Sequence, residues 1–185
     1  KMSKTLCFRG VMLVGFAALG LGLLTAGTAS KAGQLNPVQD PLMLSAADKT
    51  ELAEESRLKA ELGDQVWPGL GNADIPIILF NDSYEYLVGE KDPPGPWKIV
   101  EGDDYQGHPY YRRAAQDPQA FAVLVGTHWA GSIGTLDSMN RKIPFKLRPD
   151  FHVVIILHEV FHAFQAGQAP GRFTKANAVY KAESR

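Results

Sequence analysis

The clearest pattern in the chain is an apolar run broken by a few polar residues at helical spacing. From Asp150 to Gly167 the sequence "DFHVVIILHEVFHAFQAG" is mostly core material, entered through Pro149 and followed by Pro170 and Gly171. Proline suits the first turn of a helix and glycine its end, so a helix is predicted over Asp150–Ala166, closed by Gly167. A second helix is predicted over Ser45–Leu62. Ser45 and Asp48 make a capping-box start, Leu52, Leu58 and Leu62 give a thin apolar stripe, and Gly63 is the expected stop. The charges of this helix read as a solvated face. "IPIILF" (Ile75–Phe80) reads as a buried strand ended by an Asn81-Asp82-Ser83 turn, and "YEYLVG" after it as a short strand or a turn of helix. "KDPPGPW" (Lys91–Trp97) reads as a stiff loop and "GDDYQGHPYYRR" (Gly102–Arg113) as a longer one. "FAVLVGTHWAGSIG" (Phe121–Gly134) reads as one or two strands about Gly126, and a last helical stretch is expected from Thr174 onward.

The beginning of the chain has a different pattern. Lys1, Lys4 and Arg9 precede an uncharged apolar run from Gly10 to Ser30, with small residues near its end. A basic start, an apolar middle and small residues read as a secretory signal, with cleavage expected between Ala29 and Gly33. The run is also just long enough to span a bilayer, so an uncleaved anchor is the alternative; its glycines and alanines favour cleavage. The expected organisation is a signal peptide or anchor over residues 1–32, a linker with Pro37 and Pro41 over 33–44, and one domain over 45–185. Loss of residues 1–32 leaves 15 of the 19 basic residues against 20 acidic ones, a net charge of −5. Nothing in that balance points to nucleic acid, and no membrane contact is expected beyond the signal or anchor. Cys7, the only cysteine, leaves with the signal, so disulfide and thiol chemistry are excluded from the exported domain. A lysine before Met2 and an ending at Arg185 read as a fragment or a trimmed domain.

The polar residues of the apolar helix carry the candidate chemistry. Residues four apart on a helix differ by about 40° around the axis and about 6 Å along it, so His158 and His162 project side by side and can share one ion. Glu159 lies about 100° round, within reach of a water on that ion. His152 falls on another face. Zinc suits neutral imidazoles and keeps a position for water, whose proton Glu159 would accept as general base. A core histidine pair without metal is the plain alternative. It would cost several kcal/mol if the imidazoles and carboxylate were buried without partners.

"HEVFH" on an apolar helix resembles the zinc metallopeptidases called zincins, whose helix supplies two histidine ligands and the glutamate base. The strict resemblance covers five residues, and up to Asp150–Glu183 with flanks and a third ligand. It implies an α+β fold in which a mixed sheet packs on the metal helix and one edge strand lines the substrate cleft; "FAVLVGTHWAGSI" is the candidate for that strand. The metzincin continuation fails, because Gln165 and Gln168 stand where that branch has glycine and histidine. The gluzincin branch takes a glutamate some 20 residues downstream, and Glu183, 21 residues after His162, matches that position. An ordinary exposed helical glutamate is the alternative reading of Glu183. The function implied is an exported zinc-dependent peptidase acting on a peptide or protein. The competing class is a catalytically incomplete zincin-like protein that binds metal or peptide without turnover. Two constellations are weaker: Asp103, Asp104 and His108 as ion ligands, which lack the ordered ladder of a calcium loop, and Ser132 in "AGSIG" as a nucleophile elbow, against a simple Gly-Ser hairpin turn.

Overall fold

The computed structural model describes residues 41–169 and Gly171. The apolar run near the start, the expected cleavage region, the linker before Pro41, the helical stretch from Thr174 and Glu183 all lie outside the described residues.

Helix α1 spans Ala46–Val66, and its start is the predicted capping box: the Ser45 side chain accepts from the Asp48 amide while Asp48 accepts from the Ser45 amide. Six strands follow as β1 (Ile77–Phe80), β2 (Tyr84–Val88), β3 (Lys98–Ile99), β4 (Tyr111–Ala114), β5 (Phe121–Val125) and β6 (His128–Gly134). Helices α2 (Leu136–Lys142) and α3 (Pro149–Gln168) complete the order. The strands form one mixed sheet in the order β3-β4-β2-β1-β6-β5. Only the β1–β6 pairing is parallel, with Ile77 opposite Gly131 and Phe80 opposite Gly134. The fold is therefore α+β with a mixed sheet, as expected, and β5 lies at one edge.

Alternation along the strands divides the core. Ile77 and Leu79 of β1, Tyr86 and Val88 of β2 and Ile133 of β6 face the helices, where they meet Leu52 of α1 and Ile156 and Val160 of α3. Ile78, Leu87, Val125 and Ala130 face the opposite side and are covered by Trp97 from the proline loop. The Arg113 guanidinium stacks 4.2 Å from the Trp97 ring centroid and also pairs with the buried Glu85 carboxylate. Helix α3 lies across β6 and β5, and α1 packs on α3.

Several expectations need correction. Helix α1 does not stop at Gly63. It continues for three more residues because Gly63 sits against the Leu70–Gly71 backbone, where a Cβ would lie 2.7 Å from the Gly71 nitrogen. The glycine serves close packing, not termination. Helix α3 likewise runs through the exposed Gly167 to Gln168. The acidic face of α1 is not all solvated: Asp48, Glu51 and Glu55 are buried beside Leu52, whereas Leu62 is exposed. Part of the expected loop before Arg113 is strand β4, held by its ladder to β2 and by the Arg113–Glu85 pair. Among the described residues no helix is long and apolar enough to cross a membrane.

Candidate active site

The site is built on α3. Its buried positions (His152, Ile156, Glu159, Val160, Ala163 and Ala166 among them) recur every three or four residues and face the sheet. Close approach at one point is possible because β6 has Gly131 there. A Cβ at Gly131 would lie 2.8 Å from the Val160 nitrogen and 2.9 Å from the Glu159 carbonyl carbon. Glu159 is thus fixed where helix and strand are nearest. It is buried, and its Oε2 has no hydrogen-bond partner. Burial pushes its carboxyl above the usual range, while the His162 and His158 imidazoles beside it pull the other way.

His158 is exposed and His162 half-buried. Their rings stand edge to face with centroids 4.4 Å apart, and the two Nε2 atoms are separated by 2.9 Å. The His162 Nδ1 lies 3.3 Å from the Gln165 side-chain oxygen, an acceptor, and its Nε2 is the nitrogen that faces His158. The ring of Phe121, on edge strand β5, lies 5.3 Å from that of His162. On the other flank an apolar groove of about 210 Å³ runs between α1 and α3, walled by Val66, Leu70, Leu157, Phe161 and His158 itself. The apolar surround of the histidines is one-sided: Val160 and Phe164 are buried, but Val154 is 53 % exposed.

These residues fit a zinc ion in part. Two nitrogens each about 2.0–2.1 Å from a tetrahedral zinc would be roughly 3.3 Å apart. The observed 2.9 Å is within a small ring rotation of that spacing. The orphaned Oε2 of Glu159 is a buried acceptor of the kind a bound water would satisfy. However, no group of three or more histidine, cysteine, aspartate or glutamate side chains suited to a metal occurs among the described residues. The histidine pair and Glu159 come together as the spacing requires; the expected third donor, Glu183, lies outside the described residues.

The weaker constellations resolve into structure. Asp103 pairs with Lys49 at 2.5 Å and accepts from the Tyr110 hydroxyl; these partners, Lys49 foremost, hold its carboxyl below the usual range. Asp104 accepts from the Gly107 amide and shapes a turn. Ser132 is buried inside β6, so "AGSIG" is neither a nucleophile elbow nor a hairpin turn. The segment is a strand held between β1 and β5, and its Gly131 lets α3 lie close on it.

His152 is fully buried on α3. Its Nε2–H donates to the Gly134 carbonyl at 2.9 Å, and its Nδ1 lies 2.7 Å from Glu51 Oε2 on α1. A carbonyl can only accept, so Nε2 is the donor to Gly134, and Nδ1 is the nitrogen turned to the Glu51 carboxylate. Sequence reasoning missed Glu51 and Glu55 as buried groups. The available signal was that Asp48, Glu51, Leu52 and Glu55 occupy i, i+3, i+4 and i+7 of one helix face. Comparison with known protein families, curated proteins and solved structures gives no match.

Proposed function

We propose that this chain is an exported zinc-dependent peptidase in which His158 and His162 hold the metal and Glu159 is the general base. The observation that carries the reading is the pairing, on one turn of α3, of two converging Nε2 atoms with a buried carboxylate oxygen that has no partner. Zinc, when bound, supplies a water acidic enough to lose a proton near neutral pH. Glu159 Oε2 accepts that proton and returns it to the leaving amine. Its buried position suits the role, since desolvation makes a carboxylate a stronger base. His162 is oriented by Gln165, and Phe121 packs beside it from the sheet edge, where an extended peptide could add to β5. The apolar groove beside His158 would receive one side chain of that peptide. Glu183 completes the donor set in this reading.

A second reading, a zincin-like protein that binds metal or peptide without turnover, is favoured by the lack of a third donor among the described residues. One experiment separates the two. Glu159→Gln preserves shape and removes basicity, so zinc content should remain near the parent value while cleavage of a peptide library falls by about 10²–10⁴-fold. Parent and variant that both retain zinc and cleave nothing would establish the binding reading. Equal cleavage by both would remove Glu159 from the mechanism.

A further inference from the structure

Nearer the start of α1 than the histidine groove, a second polar site is built into the core. Glu55 is fully buried, and its Oε1 has no hydrogen-bond partner. The Tyr105 hydroxyl is likewise buried, with the Ser56 side chain and Glu55 as its polar neighbours there. Both side chains line one cavity of about 140 Å³ between α1 and the ends of β1 and β2. Lys59 also reaches this cavity, but its ammonium donates to the Ala73 carbonyl at 2.5 Å. Its field lowers the Glu55 carboxyl less than burial raises it, and the balance stands at about 7. Glu55 Oε2 accepts from the Ser56 hydroxyl at 3.4 Å, so Oε1 is the buried oxygen whose cost a ligand in this cavity would relieve.

The cavity adjoins a larger one. A space of about 490 Å³ shares Asp74, Val88, Gly89 and Tyr105 with the first and is walled further by Pro109 and Tyr111. That volume is in the range that small organic ligands occupy. Its rim carries Asp74, Glu90 and Asp92 against Lys91 and His108, so the entrance is acidic. Glu90 is engaged with His128, at 2.8 Å from its Nδ1. The inner end thus offers the Glu55 and Tyr105 oxygens, with the Asp74 carboxylate and the Lys59 ammonium also on its wall, and the outer end adds Tyr111 and Pro109 inside the acidic rim.

We propose that these two cavities form a binding site for a primary ammonium group carried on an apolar or aromatic body. The ammonium sits in the inner cavity against Glu55 Oε1 and the Tyr105 hydroxyl, and the body lies between Tyr105, Tyr111, Val88 and Pro109. An ammonium matches the two acceptor oxygens because it brings three N–H groups and one positive charge to a carboxylate and a phenol oxygen. A divalent metal does not match, since no group of three metal-ligating side chains occurs among the described residues. A free amine and a lysine side chain present the same group and are separated by the test.

The full chain is titrated by calorimetry with 2-phenylethylamine, with neutral 2-phenylethanol and with an Nα-acetyl-lysine amide. The amine is expected to bind saturably and the alcohol at least about tenfold more weakly, because a hydrogen bond to a charged group is lost. Tighter binding of the lysine amide than of the aryl amine would identify a peptide lysine as the source; the reverse would identify a free amine. Glu55→Gln should weaken amine binding by tenfold or more, and Tyr105→Phe by a smaller factor. With Ser56, Lys59, Asp74 and Tyr105 around it, Glu55 must ionise to receive the cation, so amine affinity should rise as pH increases through about 7. Alkylamines, like lysine, stay protonated over that range. Equal binding of amine and alcohol, unchanged affinity in Glu55→Gln, or no saturable binding at millimolar amine would each overturn the site. The last result would leave the cavities to ordered water. Zinc content and peptide cleavage do not enter this test, so its outcome is independent of the reading of α3.

Discussion

Gly131 of β6 and Glu159 of α3 touch through their backbones: a methyl group added to Gly131 would come within 2.9 Å of the Glu159 carbonyl carbon. The candidate general base therefore takes its position from the absence of a side chain on a neighbouring strand. The two imidazoles follow, because His158 precedes Glu159 and His162 lies one turn beyond.

Gly131→Ala is expected to push α3 away from the sheet. Overpacking of this kind costs about 1–3 kcal/mol, which chemical denaturation can measure. If zinc is held as proposed, the displaced helix should also lose metal affinity, an effect that a distant variant of equal instability would not show.

Metal binding itself should require both imidazoles. Elemental analysis of the purified chain is expected to give about one zinc per molecule, and His158→Ala or His162→Ala to abolish it. Added zinc should raise the melting temperature of the parent and not of either variant, since binding to the folded state alone is stabilising. Stoichiometric zinc in the double alanine variant would sink the assignment.

The His152–Glu51 contact links α3 to α1 in a fully buried setting. Removing one partner of such a pair leaves the other without compensation and typically costs about 3–5 kcal/mol. His152→Ala should show a loss of that size in denaturant unfolding. The double change Glu51→Leu with His152→Leu should recover more than half of it, because apolar replacement of a buried pair is often close to neutral. Equal losses in the single and double variants would show that packing, rather than the stranded charge, dominates.

Glu55 predicts a pH dependence of stability. Its carboxyl stands at about 7 in the folded chain against 4.5 as its ordinary value. Between those two values the folded state holds a proton that the unfolded state has released, so stability falls as pH rises from about 4.5 to about 7. The full loss, above pH 7, is on the order of 3 kcal/mol. Glu55→Gln should flatten that part of the profile and be more stable than the parent at alkaline pH. An unchanged slope in thermal unfolding would count against a buried Glu55 whose Oε1 has no partner.

Much of this was legible in the sequence where local signals and tertiary packing agree. Pro149 and the apolar run mark α3, the i, i+4 spacing brings His158 and His162 together, and Ser45 with Asp48 caps α1. Legibility failed where a residue's role is set by a distant neighbour. Glu51 and Glu55 look like the solvated face of α1 because nothing local reveals that one meets His152, 101 positions away, and the other a cavity. Gly63 and Gly131 look like a stop and a turn, since their need arises from Gly71 and Glu159. Helix α2 was the exception, missed although Thr135 caps it and Arg141 and Lys142 close it.

The segment just ahead of α1 has no regular structure, yet the sheet grips it at three points. The Pro41 carbonyl accepts from the Tyr86 hydroxyl, the Leu42 carbonyl from Arg112, and the Tyr110 hydroxyl accepts from the Leu44 amide at 3.1 Å. Those three side chains belong to β2, β4 and the residue before β4, so one short stretch of chain laces elements that are remote from it in sequence. Trimming the chain residue by residue toward Ser45 would then not erode the fold evenly. Loss of Pro41, Leu42 and Leu44 would remove one hydrogen-bond partner each from Tyr86, Arg112 and Tyr110, while Met43 between them gives none, so the cost of trimming comes in steps set by tyrosine and arginine, not by the first helical residue.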